Sequence, residues 1–142
     1  MIKINKNAPG FNAQAFYKGE IKAIDLEDYK GAIEDYTKAI ELDPNFADAY
    51  LLRGNAKNVL DDYEGSIDDY TKAIELNPEY VVAYYNRGIS FYYTGDYQLA
   101  LKDYDKAIEL DPSNQKAIDK RERVYAFVSN TLPITLGEST FS

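Results

Sequence analysis

One nine-residue pattern returns three times in this chain, at residues 36–44, 70–78 and 104–112, and each copy starts with tyrosine and ends with proline. Successive copies begin 34 residues apart, and residues 13–46 share 16 of 34 positions with residues 47–80. Self-similarity at a period of this length is typical of stacked structural repeats, because one short unit cannot bury its own apolar face. The period therefore limits the fold more strongly than the composition does.

Each period contains two stretches with helical hydrophobic spacing and an interruption between them. In residues 47–80 the interruption is Asp61-Asp62, and Asp62 is a favourable N-cap because its carboxylate can accept from unpaired backbone N–H groups. Pro78 ends the second stretch, since the residue before a proline disfavours the helical conformation. The spacing predicts one helical hairpin per period, stacked on its neighbours. The apolar positions in this period are Tyr50, Leu51, Leu52, Val59, Leu60, Ile67, Tyr70, Ala73 and Ile74.

The composition excludes several kinds of functional site. The chain contains no Cys, His or Trp, which excludes thiol nucleophiles, imidazole-based triads and zinc sites built on Cys or His. A net charge of −8 disfavours binding to phosphate backbones, and no uncharged apolar stretch reaches the roughly 18 residues of a membrane span. We therefore expect a soluble protein that is not an enzyme and has no cofactor, nucleic-acid partner or membrane partner. The cytoplasm is the default location, because residues 1–10 lack the apolar run of a secretory signal.

The densest carboxylate pairs are Asp61-Asp62 and Asp68-Asp69, both near the start of the second predicted helix of the period. Negative charge at a helix start is stabilised by the helix dipole. A calcium loop would require alternating oxygen ligands that end in Glu, and this pattern is absent. We expect both pairs to be capping or surface residues rather than metal ligands.

The repeat resembles the tetratricopeptide repeat (TPR) family. Its 34-residue pattern prefers, in order, a large residue, Gly, a small residue, an aromatic residue, Ala and Pro. The second repeat offers Tyr50, Gly54, Ser66, Tyr70, Ala73 and Pro78, and the third offers Tyr84, Gly88, Ala100, Tyr104, Ala107 and Pro112. The first offers Phe16, Ala32, Tyr36, Ala39 and Pro44, but it has Glu20 where Gly is expected. The resemblance implies an all-α fold, a right-handed superhelical solenoid of antiparallel helix hairpins.

This resemblance divides the chain into six segments. We predict a leader at 1–12 that resembles the close of a preceding repeat, repeats at 13–46, 47–80 and 81–114, a capping helix at 115–129 and a C-terminal tail at 130–142. The first repeat carries one extra residue between Gly19 and Asp28, so we expect its first helix to be atypical. Lys57 also occupies a position where an aromatic is usual, as Phe91 is in the third repeat.

In the family, the first helix of each repeat lines a concave groove that binds a segment of another protein. Carried over to this chain, the groove is mostly apolar and aromatic, with amides within it and positive charge at one end. Tyrosine supplies contact area at low entropic cost, and Asn55 and Asn86 can bond the backbone of an extended ligand. We therefore expect a non-catalytic protein–protein interaction module that binds a peptide or helix. The predicted groove residues are Leu51, Leu52, Asn55, Asn58, Val82, Tyr85, Asn86, Ile89, Tyr92, Tyr93, Lys116, Lys120 and Arg123.

Two alternatives remain open at this point. A self-association element would form homo-oligomers through the solenoid ends or through the tail, where residues 132–136 are apolar and tethered beside the groove. A second alternative follows from TPR domains that hold the acidic C-terminus of a chaperone peptide in a carboxylate clamp. The residues that correspond to that clamp are Leu51, Asn55, Asn86, Lys116 and Lys120. Four of these five residues match the clamp, and Lys116 and Lys120 are the informative ones because Asn is common at the other two positions. Leu51 removes one cation of the clamp.

Overall fold

The computed structural model describes residues 18–131, with side chains described from residue 26 onwards. Within this range the chain forms six helices and no strand, which confirms the predicted all-α, helical-repeat fold class. They are α1 (Lys18–Leu42), α2 (Ala47–Val59), α3 (Tyr63–Leu76), α4 (Val81–Thr94), α5 (Tyr97–Leu110) and α6 (Gln115–Thr131). The chain divides after Pro78 into two compact units, which we call unit 1 (α1 to α3) and unit 2 (α4 to α6). The predicted leader and most of the predicted tail lie outside the described residues.

Two hairpins, α2–α3 and α4–α5, turn through one residue in the left-handed conformation. These residues are Asp61, with φ 65°, and Gly95, with φ 90°. In each turn the next N–H donates back to the preceding helix, from Asp62 to the Lys57 carbonyl and from Asp96 to the Phe91 carbonyl, both at 2.8 Å. This arrangement satisfies carbonyl groups that the helix end would otherwise leave unpaired.

The first repeat does not form the predicted hairpin. Helix α1 runs without a break through the point, just before Asp28, at which the repeat pattern predicts a turn. The residue that corresponds to Asp61 and Gly95 is Glu27. Glutamate is a good helix former and rarely takes a positive φ, whereas Gly and Asp tolerate it better. The local sequence therefore favours a continuous helix at this turn position.

Each hairpin is closed by a tyrosine ring that packs against a glycine. A Cβ atom placed on Gly54 would lie 2.8 Å from Cε1 of Tyr70, and one on Gly88 would lie 2.7 Å from Cε1 of Tyr104. The two tyrosines are 0% and 1% exposed. In these contacts the glycine lets the two helices approach each other, and the tyrosine ring fills the space between them.

A buried ion pair also joins the two helices of each hairpin. Arg53 donates through Nε and Nη2 to the Asp69 carboxylate, both at 2.8 Å, and Arg87 does the same to Asp103 at 2.8 Å. The hydrogen bond to Asp69 raises the pKa of Arg53, which also donates through Nη1 to Thr37 of α1 at 3.0 Å. The prediction that Asp69 is a capping or surface residue is wrong, because this residue is only 3% exposed. Its bidentate partner offsets the cost of removing the carboxylate from water.

Lys57, whose place an aromatic residue usually takes, has an electrostatic role in unit 1. Its Nζ lies 3.1 Å from Oδ2 of Asp69. In unit 2 the corresponding residue is Phe91, and the Arg87 guanidinium carbon lies 5.6 Å from the centre of its ring. The same Arg–Asp motif is therefore supported by a second cation in one hairpin and by an aromatic ring in the other.

The predicted cap and the predicted last helix are both present. Asp62 accepts a hydrogen bond from the Gly65 N–H at 2.9 Å, as expected of an N-cap. Helix α6 starts after Asn114, whose side chain accepts from the Ala117 N–H at 3.1 Å. None of the helices in residues 18–131 is long and apolar enough to cross a membrane. That part of the chain also contains no group of three or more carboxylates suited to a metal ion.

Candidate peptide-binding cleft

Unit 2 contains a cleft of about 210 Å³ between residues of all three of its helices. Tyr104 and Val124, which are 1% and 3% exposed, form its largely apolar floor. Arg123, which is exposed, and Lys120, which is half-buried, place positive charge at its edge. The contributions of α4 and α6 each follow the three- and four-residue spacing that places side chains on one face of a helix. The lining residues are Ile89, Tyr92, Tyr93, Tyr104, Lys120, Arg123 and Val124.

Aromatic rings continue beyond the cleft and hold its tyrosine wall in place. The ring of Tyr92 lies 5.4 Å from that of Tyr93, 5.5 Å from that of Tyr97 and 6.2 Å from that of Phe127. These tilted and edge-to-face arrangements are the favourable ones for aromatic pairs. Tyr93 is 58% exposed. It therefore presents a supported ring to a ligand, whereas Tyr92 is fixed by its neighbours.

Tyr85 and Tyr104, two tyrosines at the cleft, contribute no negative charge at neutral pH. Burial raises the pKa of Tyr85, the nearby charge of Arg123 lowers it, and that of Asp119 raises it. Burial also raises the pKa of Tyr104, whose ring lies 6.0 Å from that of Tyr85. Both hydroxyls stay protonated at neutral pH, and the cations that line the cleft are Arg123 and Lys120.

The cleft brings together part of the predicted groove set in unit 2. Val82 is 48% exposed, Lys116 is exposed and Asn86 is half-buried, but these three residues do not line the cleft. Tyr85 lies beside it through its contact with Tyr104. The predicted groove residues that line it are Ile89, Tyr92, Tyr93, Lys120 and Arg123.

The predicted groove residues of unit 1 have several different environments. Leu52 is 40% exposed, but Leu51 is only 8% exposed, which leaves little of its side chain open to a ligand. Leu51 instead contributes apolar surface to the protein core. Asn55 accepts a hydrogen bond from the Tyr70 hydroxyl at 2.7 Å. Burial raises the pKa of Tyr70 to about 12 in spite of its hydrogen bond with Asn58. A ligand-binding role stays a prediction for Leu51, Leu52, Asn55 and Asn58.

Sequence reasoning missed the residues that form the floor and back of the cleft. Tyr104 is recognisable in the sequence only as a packing position of the third repeat, and its ring edge reaches the cleft because Gly88 lets it approach. Val124 lies four residues after Lys120, and Phe127 lies three residues after Val124. That helical spacing was an available signal for a face shared by charged and apolar side chains.

Paired helices, glycine–tyrosine contacts and a cleft lined from three successive helices define a helical-repeat protein with a surface suited to binding. The sequence identifies the family. A TPR repeat model matches residues 24–57 and 60–95, and a tetratricopeptide repeat model matches residues 81–114. The matched segments span more than half of the chain, which therefore belongs to the tetratricopeptide repeat family. No curated protein matches the chain.

Solved TPR structures resemble this chain along most of its length. The first TPR of Spaghetti (RPAP3), bound to the HSP90 peptide SRMEEVD, is 25% identical with a TM-score of 0.71, over 89% of this chain and 91% of that one. The second TPR domain of human RPAP3, in complex with the HSP70 peptide SGPTIEEVD, is 25% identical with a TM-score of 0.68, over 87% and 97%. The Arabidopsis OM64 TPR domain is 27% identical with a TM-score of 0.63, over 84% and 93%. The family is generally a non-catalytic protein-interaction fold, and this chain is a protein-interaction module.

Proposed function

We propose that the unit 2 cleft binds a short segment of a partner protein in which a carboxylate lies next to an apolar side chain. The observation that carries this proposal is the convergence of two cations and a supported tyrosine wall in one cleft. A carboxylate accepts charge-assisted hydrogen bonds from Lys120 and Arg123, and a neighbouring apolar side chain packs on Tyr93 and Ile89. This geometry combines an electrostatic anchor with an apolar anchor at short range.

The charge of the whole chain makes the local cations decisive. At a net charge of −8, the protein as a whole repels an acidic segment, so its binding depends on the positive charge within the cleft. A hydrogen bond to a charged group contributes about 1.5–3 kcal/mol. Loss of either cation should therefore weaken binding strongly, whereas loss of a cation elsewhere should have little effect.

The peptides bound by the two RPAP3 domains have the same chemistry. Both end in the sequence Glu-Glu-Val-Asp, in which carboxylates flank an apolar residue. The carboxylate-clamp hypothesis is a narrower form of our proposal, and Lys116 and Lys120 match it. Because Leu51 is neutral and buried, we place the anchor at Lys120 and Arg123, within unit 2, rather than in a complete clamp.

The test measures binding of a fluorescent SGPTIEEVD peptide to the full chain by anisotropy. The variant is Lys120→Gln, and its matched control is Lys106→Gln, which removes the same charge outside the cleft from a side chain that is 39% exposed and lies 3.5 Å from the Glu109 carboxylate. We expect Lys120→Gln to weaken binding about tenfold or more and Lys106→Gln to change it less than about twofold. A peptide with Gln and Asn in place of its acidic residues and an amidated C-terminus should bind weakly, and Lys120→Gln should not weaken it further.

Two results would contradict the proposal. One is equal loss of affinity in Lys120→Gln and Lys106→Gln, which would show a general charge effect. The other is equal affinity for the acidic and the neutral peptide, which would show that the cations do not contact the ligand. A Tyr93→Ala variant examines the apolar part separately, because its exposed ring can be removed without opening a cavity in the core.

A further inference from the structure

The side of α6 that faces away from the cleft carries apolar side chains and two opposite charges. The side chains of Arg121 and Glu122 are 29% and 66% exposed, Tyr125 is 47% exposed and Ile118 is half-buried. In chain order these four residues follow one another at intervals of three, one and three, which places them along one stripe of the helix. A groove of about 420 Å³, lined in part by Tyr125, runs between α5 and α6 beside this stripe.

Arg121 lacks the bidentate partner that its counterparts have. It stands 34 residues after Arg87, and in both Arg53 and Arg87 the edge formed by Nε and Nη2 binds a carboxylate at 2.8 Å. Arg121 donates through Nη1 to Asp105 at 3.1 Å, and its Nη2 lies 3.7 Å from Glu122. Its Nε has no acceptor within the described part of the chain. The Nε atom is buried, so a partner's carboxylate can reach only the exposed part of this guanidinium, on a side chain that is 29% exposed.

A further helix of the same repeat type is not suited to this stripe. In the hairpins, such a helix brings a tyrosine ring against glycine, as Tyr104 does against Gly88. The corresponding residue of α6 is Glu122. A ring placed that closely would collide with the Glu122 side chain. A helix that packs here must leave room for Glu122 and offer a carboxylate to Arg121.

We propose that the helix which meets these conditions is α6 of a second copy, packed antiparallel about a two-fold axis. In a register centred between Arg121 and Glu122, Arg121 of each copy faces Glu122 of the other. The same register sets Tyr125 against Ile118 of the second copy. A two-fold interface uses each contact twice, so a stripe that carries one cation and one anion complements itself. Because the stripe and the peptide cleft lie on opposite sides of α6, a dimer can still bind peptide.

The test is the association state of the full chain by sedimentation velocity over a wide concentration range. We expect a mass that rises from 16.1 kDa towards twice that value, up to about 1 mM, because small transient interfaces are weak. Glu122→Arg and Arg121→Glu each place like charges opposite one another and should weaken association about tenfold or more. An equimolar mixture of the two variants should restore it, since each Arg then faces a Glu again.

A matched control and a second surface variant keep the test independent of folding. Glu75→Arg makes the same charge change at a side chain of similar exposure, 63%, which also lies 3.7 Å from a cation, that of Lys72, and it should associate like the parent chain. Tyr125→Lys leaves the Arg121–Asp105 pair intact and should also weaken association. Circular dichroism of each variant confirms that the helices are retained.

Three outcomes would overturn the proposal. The first is a mass of 16.1 kDa at all concentrations. The second is self-association that neither Glu122→Arg nor Tyr125→Lys weakens, which would indicate another surface. The third is self-association that disappears when residues 132–142 are removed while the charge-swapped mixture shows no recovery, which would indicate an interface made by the tail.

Discussion

Replacement of Asp103 by alanine should destabilise unit 2 far more than the same replacement two residues further along α5. Asp103 and Arg87 have side chains that are 5% and 18% exposed, and they share two hydrogen bonds of 2.8 Å. Removing one member of a buried pair leaves the other charge desolvated, which costs about 3–5 kcal/mol. Arg87 keeps some solvent contact and its stacking on Phe91, so we expect about 3 kcal/mol, a large part of the about 5–15 kcal/mol that stabilises a typical domain.

Asp105 is the matched control for this experiment. It is 52% exposed and lies 3.1 Å from Arg121, a geometry for which ion pairs contribute about 0–1 kcal/mol. Asp103→Ala and Asp105→Ala have the same change in helix propensity and lie in the same unit. The difference between their free energies of unfolding therefore isolates the buried pair. Urea unfolding followed by circular dichroism measures both values.

A companion variant separates charge desolvation from loss of packing. The double change Arg87→Leu with Asp103→Leu removes both charges and fills much of the same volume with apolar groups. We expect it to be more stable than Asp103→Ala, because no uncompensated charge stays buried. Equal destabilisation by Asp103→Ala and Asp105→Ala would refute the reasoning, since it would show that the carboxylate of Asp103 contributes no more than an exposed one.

Two further predictions concern the glycine contacts and the buried tyrosines. Gly88→Ala places a methyl group 2.7 Å from the Tyr104 ring and should destabilise by about 1–3 kcal/mol, whereas Gly31→Ala meets no atom within 4 Å and should stabilise by about 0.5–1 kcal/mol. Thermal unfolding of the two variants decides this, and a stable Gly88→Ala would contradict it. The pKa of Tyr70 is about 12 in the folded chain and about 10 when unfolded, so stability should fall by up to about 3 kcal/mol as the pH rises between these values. Urea unfolding across this range should show a shallower decline for Tyr70→Phe, and parallel declines would be inconsistent with the buried hydroxyl.

The 34-residue period predicts the fold of the α2–α3 and α4–α5 hairpins, because the residues that recur in it are those that form each helix and pack the two helices together. Helical spacing identifies the apolar faces, Asp62 identifies the start of α3, and Gly54 identifies where Tyr70 packs. The glycine–tyrosine contact recurs in both hairpins, whereas the side chain of Asp62 caps α3 and that of Asp96 makes no cap hydrogen bond to α5. The family could be recognised from the sequence for the same reason.

The cleft was less predictable because the residues that line it are those that a particular hairpin leaves exposed. Leu51 and Leu52 are adjacent and chemically identical, yet one is 8% exposed and the other 40%. Lys120 and Tyr93 lie on different helices, and only the packing of α4 and α6 against α5 brings them into one cleft. A pattern of family positions identifies candidates for such a surface, but the depth of each side chain is a property of the assembled unit.

Asp69 shows why even a clear local signal can mislead. Asp69 is the seventh residue of α3, and the argument that carboxylates near a helix start favour the positive end of its dipole, taken alone, places it at the surface. Its actual position depends on Arg53, which lies 16 residues earlier on the other helix of the hairpin. The recurrence of both residues in the next repeat, as Arg87 and Asp103, is the sequence signal for this pair. Opposite charges that recur on the two different helices of a hairpin mark this buried pair, whereas Lys72–Glu75 and Lys106–Glu109, which recur within one helix, lie at the surface.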